Sequence, residues 1–131
     1  MTAQEVPDFI LEIAKRAAAA TGARAVYLFG SHARGEARAD SDVDLLIVVD
    51  DLANLRDTGI AADRANRDRT AHVDFIAMHE GHFKRCASLI ALEVARDGVI
   101  LYSQPDAASS FQETTSVFMR QFMNQLEATR G

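Results

Sequence analysis

Apolar positions along the first hundred residues change repeatedly between helical and strand spacing. After Pro7, a residue favoured at helix starts, they recur every three or four positions until Gly22, which predicts a first helix. The second half of the segment 42–49 is apolar on both faces, so it should be a central, covered strand. Strands are predicted at 24–29, 42–49, 71–78 and 99–102, and further helices at 52–69 and 80–95. Strands separated by helices indicate an α/β (α+β) fold, with a mixed four-stranded sheet flanked by helices.

The last part of the chain has a different pattern. Residues 104–109 contain Pro105 and small polar residues, which is typical of a linker, and Ser109 or Ser110 can cap a final helix ending near Thr129. That helix would either fold back onto the domain or offer a face for a protein partner or a homodimer. We therefore divide the chain into a domain over 1–104 and a linker with an extra C-terminal helix over 105–131. The apolar stripe of this helix comprises Phe111, Phe118, Met119, Phe122, Met123 and Leu126.

Composition narrows the class of protein. The 131 residues are 48% hydrophobic, which suits one globular domain with its own core. The net charge is −5 with acids and bases intermixed, which argues against direct nucleic-acid binding. The single Cys86 lies in an apolar helical pattern, where it is expected to be a buried small hydrophobe, and fits a cytoplasmic setting. Neither a signal peptide nor a membrane span is expected.

Three acids stand out in the predicted strands. Gly30-Ser31 follows the first strand directly, and ten residues later come Asp42 and Asp44. Strand side chains alternate, so Asp42 and Asp44 share a face, and Asp74 joins them if the third strand pairs beside the second. Taken alone, Asp42 could be an ordinary capping acid, whereas an unpaired Asp74 inside an apolar strand would be costly.

Such a cluster of carboxylates is suited to divalent metal ions. The acids repel one another unless a cation neutralises them, and Mg²⁺ takes carboxylate oxygens together with substrate phosphates. Two ions would suit in-line phosphoryl-type transfer, with Asp42 and Asp44 as metal ligands. Asp74 would complete the acceptor-side ion and could accept the proton of the acceptor.

The turn at Gly30-Ser31 has a matching task. Glycine lets the backbone approach a phosphate, and the hydroxyl and N–H groups of Ser31 can donate hydrogen bonds to its oxygens. Arg34 or Arg38 could neutralise further charge of a triphosphate.

These residues form the pattern G-S-x10-D-x-D, embedded in GSHARGEARADSDVDL. The pattern resembles that of the DNA polymerase β-like nucleotidyltransferase superfamily, and within it the minimal nucleotidyltransferase (MNT) group. The resemblance extends over roughly residues 8–102. It implies the mixed sheet, ATP as donor, Mg²⁺, and nucleotide binding by Gly30, Ser31, Arg34 and Ser41.

The resemblance also implies a partner. Many minimal members are antitoxins that are encoded beside a HEPN-domain RNase toxin and resemble enzymes that add AMP to a tyrosine of it. We therefore expect a protein adenylyltransferase that neutralises a HEPN toxin. The alternatives are a small-molecule enzyme similar to the aminoglycoside-modifying branch and a non-catalytic toxin-binding module. A template-directed polymerase is disfavoured, since the sequence has neither an added domain nor a basic groove.

The remaining polar candidates have simpler interpretations. His32 is expected to be a solvent-exposed loop residue, and Lys84-Arg85 a solvated helix face. His72, His79 and His82 could suggest zinc, but no cysteine pair or further ligand nearby supports it. His79 is expected to cap or precede a helix.

Overall fold

The computed structural model describes residues 3–105. Its four strands form one sheet of order β3-β2-β1-β4, in which β2 and β3 are parallel and the other pairs antiparallel. The predicted mixed four-stranded sheet flanked by helices is therefore confirmed. The elements are a 3₁₀ turn at Ala3–Glu5, α1 at Asp8–Thr21, β1 at Ala25–Phe29, β2 at Val43–Val49, α2 at Leu55–Ala65, β3 at Val73–His79, α3 at Glu80–Lys84, α4 at Leu89–Asp97 and β4 at Val99–Ser103.

The first helix follows its apolar pattern. Ile10, Ile13 and Ala17 of α1 are buried in the core cluster on one face of the sheet. Gly22 ends the helix with a left-handed φ of 66°, and its N–H donates to the Ala18 carbonyl. A residue with a side chain would be strained in this conformation, which is why glycine suits the end of α1.

The central strand β2 is covered on both faces. Val43, Leu45, Ile47 and Val49 are at most 1% exposed and belong to the core cluster under α1 and α2. Two other side chains of β2, Leu46 and Val48, belong to a second cluster that includes residues of α3 and α4. Successive side chains of β2 therefore enter two cores on opposite faces of the sheet. The first β2 residue on the face of the second cluster is Asp44.

The helix predicted over 52–69 is shorter in the structure, spanning Leu55–Ala65. The Asn54 side chain accepts a hydrogen bond from the Asp57 N–H and so caps the start of α2. Asn66 is fully buried at its end and donates to the carbonyls of Ala62 and Ile13. Polar side chains that bind the backbone thus set both ends of α2.

The single helix predicted over 80–95 is wrong, because the segment forms two helices, α3 and α4. Cys86 has a φ of 49° in the break, and Ser88 caps α4 by accepting from the Ala91 N–H. Phe83 and Ala91 are both buried against the same face of the sheet, so the apolar spacing continues across the break. Cys86 is accordingly partly exposed, and its predicted burial in a helix is also wrong.

Two expectations concern the rest of the chain. Within residues 3–105, no helix combines the length and apolar character needed to cross a membrane. The predicted C-terminal helix lies outside the described residues, so the division at residue 104 stays a prediction.

Candidate active site

The parallel pairing of β2 and β3 brings two of the predicted acids side by side. Asp44 is in register with Asp74, and partners in a parallel ladder point to the same face. Asp42 immediately precedes β2, and its Oδ1 lies 3.0 Å from Nδ1 of His72. One ligand atom each from Asp42, His72 and Asp74 lie within 4.8 Å of one another. The structure thus gathers all three acids at the start of the two strands.

Asp44 is the most enclosed of these acids. It is partly buried, while Asp42 and Asp74 are exposed. Burial raises the pKa of Asp44, and the negative charges of Asp74 and Asp42 raise it further, while nearby His32 has a smaller opposing effect. A carboxylate in this position gains from a positive charge beside it, so its environment favours a bound cation.

Gly30 lies directly against this acid. It follows Phe29, which pairs with Asp44 between β1 and β2, and it has a left-handed φ of 76°. A Cβ atom built on Gly30 would overlap the Asp44 carboxylate oxygen Oδ2. Both the backbone conformation and this close approach therefore require glycine.

The chain after Gly30 forms a compact turn. The Arg34 N–H donates to the Gly30 carbonyl at 3.2 Å, and the Glu36 N–H donates to the Ser31 carbonyl at 2.9 Å. Across residues 3–105, no backbone carbonyl accepts from the N–H groups of Ser31, His32 or Ala33. Unpaired N–H groups in a tight turn suit an anion such as a phosphate.

His32 connects this turn to the segment before Asp42. Its Nε2 lies 3.2 Å from the Ser41 carbonyl oxygen, and the side chain is partly buried. The expectation that His32 is solvent-exposed is therefore wrong, because this contact holds it inside the loop. The Ser41 hydroxyl accepts from the Arg38 N–H at 2.8 Å, so Ser41 helps to fix the same loop.

Arg34 is held by two carboxylates. Its guanidinium lies 3.1 Å from Glu36 and 3.1 Å from Glu93 of α4. It therefore ties the turn after β1 to α4 beside the acids. A triphosphate would have to compete with these two partners for Arg34.

The histidines considered for zinc do not come together. Nε2 of His79 lies 2.8 Å from the Ala53 carbonyl oxygen, and His79 precedes α3 as expected. Among the described residues, the group suited to a metal ion pairs His72 with Asp42 and Asp74 instead.

Lys84 and Arg85 are both exposed. The Lys84 ammonium lies 3.3 Å from Glu80, one turn earlier in α3. These positions agree with a solvated helix face.

A groove of about 670 Å³ lies beside Asp74, between α2 and β3, which is an edge strand of the sheet that residues 3–105 form. Asp74 and Phe75 line it on the strand side, and Arg56, Arg64 and Arg67 line it on the other. None of the residues singled out in the sequence, apart from Asp74, lines this groove. Arg56 and Arg64 lie about two turns apart on α2, a helical spacing that could have revealed their common side, and Arg67 follows the helix.

Comparison with known protein families identifies the family to which this chain belongs. Residues 11–107 match the family model described as polymerase beta, nucleotidyltransferase. Because this match covers most of the chain, the protein belongs to the polymerase β nucleotidyltransferase family, as its sequence pattern predicted.

A named adenylyltransferase is among the similar proteins. The chain is 34% identical over 55 residues to the protein adenylyltransferase MntA of Thermococcus cleftensis, an alignment spanning 42% of this chain and 56% of that relative. The chain thus covers about half the length of the relative.

Solved structures share the fold. One is a toxin–antitoxin with AMP-PNP, with a TM-score of 0.58 and 18% identity over 91% of this chain and 94% of that one. Another is a complex of a tri-AMPylated Shewanella oneidensis HEPN toxin with an MNT antitoxin, with a TM-score of 0.52 and 17% identity over 97% of this chain and 94% of that one.

Proposed function

We propose that this protein is a Mg²⁺-dependent adenylyltransferase that moves AMP from ATP to a HEPN toxin and thereby acts as its antitoxin. The observation that carries the proposal is the register pair Asp44 and Asp74, placed directly against the turn at Gly30. The names of the relatives support the finer parts, since one is a protein adenylyltransferase and another an MNT antitoxin bound to an AMPylated HEPN toxin.

The ligand set fits Mg²⁺. Asp42, Asp44 and Asp74 offer carboxylate oxygens, which this ion prefers, and burial together with the charges of Asp74 and Asp42 raises the pKa of Asp44. We assign Asp42 and Asp44 to the two ions, and Asp74 would complete the ion on the acceptor side together with Asp42. When bound, the ions would neutralise the phosphates and the developing charge of the transfer.

The transfer itself is a displacement at the α-phosphorus of ATP. A hydroxyl oxygen of the acceptor forms the new bond to phosphorus, and the bond to the pyrophosphate oxygen breaks. The acceptor's proton passes to the exposed carboxylate of Asp74, and pyrophosphate leaves with the electron pair. Asp74 suits this task because it is exposed and lies on β3, the edge strand of the sheet that residues 3–105 form, beside a groove that an acceptor can enter.

The phosphate-binding role belongs to the turn after β1. We assign the N–H groups at Ser31 and the Ser31 hydroxyl to the triphosphate. Ser41 and Arg34 would act from the surrounding loop, which the contacts to Arg38 and Glu93 hold in place. This assignment uses the N–H groups of the turn that bind no backbone carbonyl of residues 3–105, and its glycine lets the phosphates come close to Asp44.

The experiment that tests the proposal is a transfer assay. The full chain is incubated with Mg²⁺, ATP labelled at the α-phosphate and the HEPN-domain toxin proposed as its partner. We expect label on the HEPN protein and a mass increase of whole AMP units. Asp44→Asn should abolish labelling, whereas the control Asp68→Asn, which changes an exposed acid paired with Arg16, should not.

Two outcomes would contradict the proposal. One is the absence of label on the HEPN protein when the chain binds it. The other is full neutralisation of the toxin by the Asp44→Asn variant, which would indicate a non-catalytic binding module.

A further inference from the structure

His72 occupies a defined position next to the acids. The Val43 N–H donates to the His72 carbonyl at 3.0 Å, which extends the β2–β3 ladder by one step. Val43 is in register with Val73, so His72 stands opposite Asp42 at the end of this ladder. His72 lies two positions before Asp74, and strand alternation therefore directs both towards the same face.

The side-chain geometry suits a shared ion. Nδ1 of His72 lies 3.0 Å from Asp42 Oδ1, and these atoms and an Asp74 oxygen are mutually within 4.8 Å. Ligand atoms bound about 2.1 Å from one ion lie up to about 4.2 Å apart, so only small rotations would bring the three onto it. The side chains of His72 and Asp42 are 70% and 52% exposed, and both are therefore free to make these rotations.

We propose that His72 is a third protein ligand of the ion held by Asp42 and Asp74, and that it makes this position selective for a divalent transition metal over Mg²⁺. The inference rests on the proposed function only in assigning Asp42 and Asp74 to metal binding. Imidazole nitrogen is a favourable ligand for ions such as Co²⁺ and Zn²⁺, whereas Mg²⁺ prefers an all-oxygen shell. The acceptor side of the site would then hold a different ion from the triphosphate side.

Co²⁺ is a suitable probe because its visible absorption reports nitrogen ligation. Calorimetric and absorption titrations of the full chain with Co²⁺ and with Mg²⁺ would compare wild type with His72→Gln. We expect the variant to bind Co²⁺ at least about 10-fold more weakly and to lose part of the visible band, with Mg²⁺ affinity nearly unchanged. The control His82→Gln, which changes a histidine of α3, should behave as wild type.

Equal Co²⁺ affinity and spectra in wild type and His72→Gln would overturn the inference and leave His72 as a hydrogen-bond partner of Asp42. Co²⁺ binding that survives Asp74→Asn unchanged would overturn it as well. Both readouts are independent of AMP transfer. A chain that binds Co²⁺ through His72 but labels no HEPN protein would contradict the proposed function alone.

Discussion

The two faces of β2 carry different tasks within one seven-residue strand. Towards α1 and α2 the strand presents only aliphatic side chains, and all of them are buried. Towards α3 and α4 it presents Leu46 and Val48, but the position before them is Asp44. Neighbouring residues Asp44 and Leu45 thus lie on opposite faces, one against a cluster of like charge and the other in the core.

Leu45 contributes to the stability of the fold, whereas Asp44 belongs to the candidate site and does not stabilise it. Complete burial of Leu45 contributes about 2 kcal/mol to folding, since it removes its whole apolar side chain from water. Asp44 is destabilising in the free protein, because burial and its acidic neighbours oppose its charge. The sheet can therefore carry the unfavourable Asp44 at the start of β2, because the buried side chains on the other face of the strand stabilise the fold.

The largest effect is expected from Asp44→Asn. Removing this carboxylate should lower the rate of AMP transfer at least about 100-fold, because a ligand of the reacting ion is lost. The melting temperature without Mg²⁺ should stay the same or rise, since the like-charge repulsion is also removed. Transfer assays and thermal unfolding would measure the two effects, and a lower melting temperature would contradict the comparison.

The opposite pattern is expected from Leu45→Ala. The cavity left under α1 and α2 should lower the free energy of unfolding by about 2–5 kcal/mol. Transfer by the folded fraction should remain close to wild type, because the substitution points away from the acids. Urea unfolding followed by circular dichroism gives the first value. A stable variant without activity would show that the two faces are not independent.

Gly30→Ala and Gly35→Ala form a matched pair. Both glycines have a left-handed φ, 76° and 72°, so each substitution should cost about 1 kcal/mol of stability from backbone strain. An added Cβ meets Asp44 only at Gly30, while at Gly35 nothing lies within 4 Å. Gly30→Ala, but not Gly35→Ala, should therefore also weaken Mg²⁺-ATP binding about 10-fold or more, as measured by calorimetry. Equal nucleotide affinity in the two variants would argue against the close packing of the turn and the acid.

A smaller effect should appear in the dependence of stability on pH. The folded protein raises the pKa of Asp44, so it holds this proton more tightly than the unfolded chain. Wild type should therefore lose stability relative to Asp44→Asn as the pH rises above the ordinary aspartate pKa of about 3.9, and the difference should level off once Asp44 is ionised. Chemical unfolding of both proteins at several pH values without Mg²⁺ measures it. A difference that grows in favour of wild type would have the wrong sign.

The smallest effect is expected at the ion pair between Arg34 and Glu93. Both side chains are about one-third exposed, so Glu93→Gln should lower stability only slightly, and less at high salt. Transfer should be retained, because a triphosphate would then compete only with Glu36 for Arg34. Unfolding at two salt concentrations tests the first part. A large loss of transfer would show that the contact to α4 positions the turn.

Much of the fold followed from apolar periodicity. Strands such as Val43–Val49 and Val73–His79 were predictable because their residues alternate or are apolar on both faces. The break at Cys86 was not, since Phe83 and Ala91 keep a continuous apolar spacing while the cap by Ser88 decides the backbone. Short capping contacts of this kind leave little trace in the hydrophobic pattern.

The candidate site likewise has features that the sequence indicated and features that only the structure shows. The acids and Gly30-Ser31 stand in a recognisable order along the chain, so their grouping could be expected. The contact of His32 with Ser41 and the approach of His72 to Asp42 depend on how loops and strand ends meet in space. The groove between α2 and β3, which three arginines line, also forms only when α2 packs along the edge of the sheet.

Binding of ATP by the full chain with and without Mg²⁺ tests the central claim most directly. Isothermal titration calorimetry would compare wild type with the Asp42→Asn/Asp44→Asn double variant. The account predicts tight binding by wild type only with Mg²⁺ present and its loss in the variant, whose fold should remain intact by circular dichroism. Equal affinity of the two proteins for Mg²⁺-ATP would contradict it.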